Sequence, residues 1–393
     1  MTYRRAVIKR KVEEVLMFPF VIAGKLAGLL FPLKTKHPVF LFFPSADIGG
    51  SIKVNADITQ CIKDKKPLII FSKRPKNNEF RELFDIEGVR TIDLSRYIDH
   101  KIIHFMNFFF RGVLAAWINN TEKPVVFGGE GLFFYKVIPH LKKSSTNVEL
   151  CHLNTWFNFS QAYIPLMHKR IFSTPKIKRD VEQQYTENGI PVEFLSRLYF
   201  IDNKIDIPEY TQVSNEVLQI LFVGRGAPQK RIHLIAAIAK ELYARKSLVH
   251  FSFVGNVESF IPKDLKQSVT LYGNIKEEEK LHDIYMRSDV LILTSAYEGL
   301  PIVVMEMMAR GKVVISTAVD GIPDYITHLE NGLLIKALAE EDIIRQGIIL
   351  IENLLSDPGL KKVIGKNSYD YSLQHFSGER FCSEYIKMLS PAK

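Results

Sequence analysis

Cysteine is scarce: Cys61, Cys151 and Cys382 are the only three in 393 residues, and they lie far apart with no CxxC among them. No cysteine metal cluster is visible, and the expectation is free thiols in a reducing compartment. Both common phosphate loops, GxxxxGK[ST] and GxGxxG, are missing. There is no internal repeat, no low-complexity tract and no nucleic-acid-binding motif. Apolar residues are not lacking. Hydrophobic residues make up 47% of the chain and charged ones 24%, which excludes a disordered chain and allows sizeable cores. Acidic residues are outnumbered, 43 against 52 lysines and arginines, a balance of +9. That favours an anionic partner: nucleic acid, anionic lipid or a phosphorylated substrate. Outside an N-terminal cluster the basic residues are scattered, which argues against nucleic acid.

A clean membrane span is also lacking. The run Val15 to Leu33 reaches the ~20 residues a span needs, but Pro19, Gly24, Lys25 and Gly28 interrupt it. A signal peptide fits no better, because Lys25 breaks the apolar core and Pro32 follows. Arg4, Arg5, Lys9, Arg10 and Lys11 precede the run. Residues 1–36 are therefore expected to form an interfacial helix or helical hairpin. Its basic side chains would meet lipid headgroups and its apolar ones would dip in. The competing reading is an ordinary buried helix of the N-terminal domain.

From residue 37 onward, short apolar runs alternate with helical stretches. HPVFLFF (37–43), KPLIIFS (66–72), KPVVFGG (123–129), VELCHL (148–153) and KRIFST (169–174) read as buried parallel strands. The phenylalanine-rich segment 102–118 reads as a helix between them. A polar stretch from Asp202 to Asn215, containing Pro208, reads as a linker. Beyond it LQILFVG (218–224), HFSFVG (250–255), VTLYG (269–273), DVLILTS (289–295), VVIST (313–317) and GLLI (332–335) read as strands. Helices are expected over 230–245, 277–288, from about Pro301, and over 340–354. The fold class is α/β, with two Rossmann-like doubly wound domains facing across a cleft. Residues 37–205 form the first domain and 216–365 the second. Residues 366–393 form a C-terminal helix packing back on the first. Ligands of such sheets bind beyond the strands' carboxyl ends, so functional residues should lie in the loops there.

Two of those loops carry chemistry. AYEGLPIVVMEMMARG (296–311) follows the strand DVLILTS. Glu298 lies in the loop, Pro301 suits a first helical position, and Glu306 falls about one and a half turns in. The N–H groups near Leu300 to Val303 would be unpaired, a setting that favours phosphate or another anion. The two carboxylates can accept hydrogen bonds from sugar hydroxyls. In FVGRGAPQKR (222–231), Gly224 ends a strand and permits a tight turn. Arg225 and Lys230 follow and can reach a diphosphate, one as a planar fork and the other as a point charge.

Together, in this order and spacing, these segments resemble the retaining glycosyltransferases of family 4, which have the GT-B architecture. The family's Glu-x7-Glu motif corresponds to Glu298 and Glu306, and its G-R-x4-K motif to Gly224, Arg225 and Lys230. The resemblance runs from about residue 218 to 335 and takes in VTLYG, RSDVLILTS, STAVDGIPDYI and ENGLLI. Where the family has two glycines before Ile-Pro, this chain has Asp320 and Gly321. In the first half, FFPSADIGGSIKVNADI (42–58) is similar to the family's glycine-rich donor-facing loop through Gly49 and Gly50. Ser51 and Ile52 replace the usual alanine and glutamate. His152 stands where many members place a histidine facing the donor sugar; a structural histidine is the alternative.

The resemblance implies a donor that is a nucleoside diphosphate sugar of UDP or GDP, held in the second domain with no cofactor and no essential metal. The absence of a DxD motif agrees with this. Glu306 would hold the ribose and Glu298 the donor hexose, with Arg225 and Lys230 on the diphosphate. Gly224, Gly299, Leu300, Pro301, Ile302 and Val303 would line the donor, and Gly49 and Gly50 would add amides from the opposite domain. His152, Arg225, Lys230 and Glu298 are the expected catalytic residues. The implied acceptor is a glycan or lipid-linked glycan of the bacterial surface-polysaccharide kind. Residues 1–36 would then rest on an anionic membrane surface, placing the chain peripherally on the inner face of the cytoplasmic membrane. Two other functions remain. A sugar-nucleotide epimerase would need an acid–base set around the donor's C2, and none is visible. An inactive sugar-nucleotide-binding protein would have lost some of Arg225, Lys230, Glu298 and Glu306.

Overall fold

The computed structural model describes residues 2–391, apart from 48, 101, 102, 104, 130, 153, 154, 156, 212–214 and 276. The chain divides into two compact units. One comprises the residues up to Asn203 together with those from Phe381 onward, and the other is Lys204–Arg380.

In the first unit, β1 (Val39–Phe43), β2 (Leu68–Phe71), β3 (Arg90–Asp93), β4 (Val125–Gly128), β5 (Thr146–Cys151), β6 (Lys169–Phe172) and β7 (Leu198–Phe200) form one parallel sheet. Its order is β3-β2-β1-β4-β5-β6-β7. The helices are α1 (Tyr3–Leu16), α2 (Phe18–Leu30), α3 (Gly50–Cys61), α4 (Ser95–Ile98), α5 (Met106–Asn119), α6 (Leu132–Val137), α7 (Phe157–Ser160) and α8 (Pro175–Glu187). Both faces of the sheet are covered, which is why its central strands are apolar without alternation. Val39, Leu41, Phe43 and Phe127 share one core cluster, and Phe40, Phe42 and Val126 share the other. The period of two that divides them is the pleat itself.

The second unit repeats the plan. β8 (Leu218–Val223), β9 (Val249–Val254), β10 (Thr270–Gly273), β11 (Val290–Leu293), β12 (Val313–Thr317) and β13 (Leu333–Ile335) pair in the order β10-β9-β8-β11-β12-β13. α9 (Ile232–Ala244), α10 (Glu278–Arg287), α11 (Ile302–Met308), α12 (Glu340–Ser356) and α13 (Pro358–His375) flank it, and α14 (Gly378–Met388) carries the chain back to the first unit.

Two features depart from the sequence reading. Cys61 and Cys382 are joined in a disulfide, and Cys151 keeps a buried thiol outside any disulfide. The expectation of three free thiols rested on sequence distance. The return of α14 to the first unit brings partners 321 residues apart to the end of α3. The end of α14 is also capped by cations. Lys65 Nζ donates to Leu389 O at 2.9 Å, and Lys169 Nζ donates to Met388 O at 2.7 Å. These lysines satisfy terminal carbonyls that have no partner within the helix. The second departure is α2, which is not amphipathic in the usual sense, because its protein-facing side is glycine. A Cβ on Gly24 would stand 1.9 Å from Phe109 O of α5, and one on Gly112 would stand 2.0 Å from Val21 O. Gly24 and Gly28 thus seat α2 flush on α5, in the small-xxx-small manner of tightly apposed helices.

Candidate functional site

In the second sheet the order of strands reverses between β8 and β11. At such a switch point the two connections leave in opposite directions and open a crevice at the strands' carboxyl ends. β8 delivers Gly224, Arg225 and Lys230 there, and β11 delivers Ser295 and Glu298. Gly224 closes the strand, its N–H donating to Val254 O at 3.0 Å. Its neighbour Gly255 has φ +120°, and a Cβ there would lie 1.9 Å from Gly224 O, so only glycine fits.

The Lys230 ammonium bonds Glu298 Oε1, and Ser295 Oγ donates to the same oxygen at 2.6 Å. The two charged side chains are only 14% and 9% exposed. The backbone around them is tied from both strands. Arg231, in the left-handed region at φ 45°, sends Nε to Thr294 O at 2.7 Å and Nη2 to Ser295 O at 2.8 Å. Gln229 Nε2 donates to Tyr297 O at 2.7 Å, and Ala296 N–H donates to Gln229 O at 2.8 Å. The loop after β12 closes the ring. Glu298 N–H donates to Asp320 Oδ2 at 2.9 Å, and Asp320 has φ 45°. Aspartate tolerates that left-handed region better than most residues. It stands where the resembled family has glycine, and here its carboxylate also fixes the Glu298 loop.

Pro301 is the N-cap of α11, so the helix begins one position later than the sequence suggests, and it is seven residues long. Gly299 and Ile302 are exposed, while Leu300 and Val303 are half-buried. Glu306, in the second turn, takes a hydrogen bond from the Tyr285 hydroxyl of α10. Burial, and then the Glu306 charge, push the Tyr285 pKa well up, so the phenol keeps its proton and remains a donor. Arg310 completes this corner. Its Nη1 donates to Glu306 O at 2.9 Å, its Nη2 meets His282 Nδ1 at 3.0 Å, and its guanidinium lies 5.2 Å over the Tyr285 ring. Arg225 is exposed and has no hydrogen-bond or ion-pair partner among the described residues.

The first sheet reverses order between β1 and β4. Gly49 caps α3, its carbonyl accepting from Ile52 N at 3.1 Å and Lys53 N at 3.2 Å, and Gly50 is the first helical residue. Ser51 and Asn55 of α3 line a small pocket with Phe43, Gly129, Leu150 and His152. Gly129 cannot be replaced without movement, since a Cβ would fall 1.8 Å from Leu150 O. Burial lowers the His152 pKa to about 4, so its ring is neutral at pH 7.

The expected residues therefore fall at two switch points, one in each unit. Lys230 and Glu298, assigned separate tasks from the sequence, are in direct contact. Tyr285, Arg310, Arg231, Ser295 and Asp320 were missed. Arg310 lies just past the end of α11 and reaches back to the Glu306 carbonyl, and neither it nor Tyr285 carried a signal of its own in the sequence. Among the described residues, no cluster of three His, Cys, Asp or Glu could hold a metal ion, and no helix is long and apolar enough to cross a membrane.

Residues 204–371 match the family described as Glycosyl transferases group 1. The uncharacterized glycosyltransferase MJ1607 of Methanocaldococcus jannaschii is 29% identical over 226 residues, 56% of this chain and 55% of that protein. MJ1178 of the same organism is 25% identical over 339 residues, 78% of this chain and 88% of that one. The match thus spans little more than half of the first relative and most of the second. Among solved structures, Anabaena Alr3699/HepE in complex with UDP and glucose has a TM-score of 0.68 over 91% of this chain and 100% of its own. At 15% identity that is a likeness of fold. Both units have the parallel Rossmann-like architecture found in GT-B glycosyltransferases, and residues 204–371 are similar to the glycosyl transferases group 1 family.

Proposed function

We propose that this chain is a retaining, metal-independent glycosyltransferase. It moves a hexose-type sugar from a UDP- or GDP-sugar to a glycan or lipid-linked glycan. The Lys230–Glu298 pair at the second switch point carries this reading. A donor of this kind presents an anionic diphosphate beside neutral hydroxyls, and so needs a cation and a hydrogen-bond acceptor side by side. The ammonium has three N–H donors. One is spent on Glu298, and the others can turn to phosphate oxygens. Glu298 keeps its second oxygen for a sugar hydroxyl, and Glu306, oriented by Tyr285, takes the ribose.

When the bond between C1 and the diphosphate oxygen breaks, its electron pair leaves with the diphosphate. Lys230, Arg225 and the amides of Gly299, Leu300, Ile302 and Val303 would meet the growing charge. Loss of one such partner costs ~10²–10³-fold in rate. The acceptor oxygen bonds C1 on the face that the diphosphate leaves, and its proton passes to the departing phosphate. In the first unit, the neutral His152 and the amides of Gly49 and Gly50 are a separate set of candidate sugar-binding groups.

We also assign residues 1–36 to an anionic membrane surface on the cytoplasmic side. α1 and α2 leave Val12, Leu16, Phe20, Leu26, Leu29 and Leu30 exposed. The exposed charged residues up to Pro38 are Arg4, Arg5, Lys9, Lys11, Lys34 and Lys36, all basic. Apolar surface edged by cations suits a helix lying in the headgroup layer.

The test is to incubate the protein with UDP- and GDP-hexoses, a glycolipid acceptor extract and a chelator, and to read the product's anomeric configuration by NMR. Transfer with retention is expected. An inverted product, or activity abolished by the chelator, contradicts the proposal.

A further inference from the structure

A groove of about 670 Å³ opens where α1 meets α2, lined by Lys11, Glu14, Val15, Phe18 and His140. That volume is in the range of small-ligand sites. Its lip is apolar and exposed, with Val15 at 74% and Phe18 at 60%. Its surroundings are cationic. Lys9, Arg10, Lys11, Lys25, Arg111 and Lys136 act on this corner, against only Glu13 and Glu14. Glu13 bonds Arg111 and Lys136, and Glu14 lies 3.0 Å from Arg10 in an ion pair, its pKa raised by burial. The excess is felt at His140. Burial first, and then Lys25 and Arg111, bring its pKa down to about 4, so the ring is neutral at pH 7 and offers an N–H without a charge.

We propose that this groove binds the phosphate of a membrane amphiphile, whose hydrocarbon chain lies along the exposed side of α2. The proposal rests on the membrane reading above and deepens it, from a diffuse basic surface to one seat for one headgroup. Lys11 supplies the charge at the mouth and His140 a hydrogen bond from within. Val15 and Phe18 cover the first carbons of the chain, and Leu26, Leu29 and Leu30 continue the apolar track, being 58%, 64% and 76% exposed. The track is rigid, because glycine contacts hold α2 against α5.

The experiment uses dodecyl phosphate below its micellar concentration, titrated calorimetrically into the full chain, beside inorganic phosphate and neutral dodecyl maltoside. Lys11→Glu tests the groove. Lys362→Glu, at an exposed position of α13 in the second unit, is the charge-matched control. The expected result is one dodecyl phosphate per chain, weakened at least about tenfold by Lys11→Glu and no more than about twofold by Lys362→Glu. Flotation with phosphatidylglycerol vesicles is measured in parallel. Equal weakening in both variants overturns the groove, as does comparable binding of inorganic phosphate or dodecyl maltoside. If the wild type still floats with vesicles in that case, the membrane reading stands and only the groove falls. If the wild type neither floats nor binds dodecyl phosphate, both fall.

Discussion

Removing both halves of the Lys230–Glu298 pair should cost less than the sum of removing each alone. The side chains are 14% and 9% exposed, and Ser295 Oγ holds Glu298 from the other side at 2.6 Å. Lys230→Ala therefore leaves a carboxylate poor in water beside one hydroxyl, and Glu298→Ala leaves an ammonium with its principal acceptor gone. Exposed pairs contribute up to ~1 kcal/mol, and breaking a fully buried one costs ~3–5 kcal/mol. Burial of this degree places each single substitution at roughly 2 kcal/mol. The double variant should then fall short of the sum by about 1–2 kcal/mol. Two units make global unfolding a poor readout. Hydrogen exchange in peptides covering 218–231 and 290–300 is the better one, since it reports the local opening of β8 and β11. Effects that add within ~0.4 kcal/mol would mean that the pair is not coupled in solution, and the argument from it would fail. The same Lys230→Ala variant should lower kcat by ~10²–10³-fold.

Further outcomes follow from other contacts. Tyr285→Phe removes the donor that orients Glu306, and should raise the KM for the nucleotide sugar about fivefold, roughly the worth of one net hydrogen bond, with kcat little changed. An unaltered KM would remove Tyr285 from the donor site. His152 takes up a proton near pH 6.5 in the unfolded chain but only at about 4 in the folded one. Stability should therefore fall as pH drops from 6.5 towards 4, by roughly 3 kcal/mol at most from this group. His152→Asn should flatten that part of the curve, and an unchanged curve would refute the burial argument. Cys61→Ser, or reductant, should release α14 and cost ~2–4 kcal/mol in denaturant unfolding of the first unit. Equal stability with and without reductant would show the disulfide is not formed.

The long apolar runs made most of both sheets legible, because strands buried on two faces cannot be written otherwise. The two that escaped have no such run. β3 is the half-exposed edge sequence RTID, and β7 is three residues long. The C-terminal segment, read as one helix, breaks at Phe376 between α13 and α14. Within the site, Glu298, Glu306, Arg225 and Lys230 were legible as residue types in loops after strands. The contact of Lys230 with Glu298 was not. It joins positions 68 residues apart, and it follows only once β8 is known to lie beside β11. Tyr285 and the partner of Cys61 were hidden for the same reason. Tertiary neighbours leave no spacing in the sequence.

The central claim is a nucleotide-sugar site in the second unit. The most direct test is calorimetric binding of a panel of nucleoside diphosphates and their sugars to the full chain and to Glu306→Ala. The account predicts that one UDP- or GDP-sugar binds the wild type and that the variant loses it while unfolding at the same temperature. Unchanged binding by the variant, or binding by none of the panel, would contradict it.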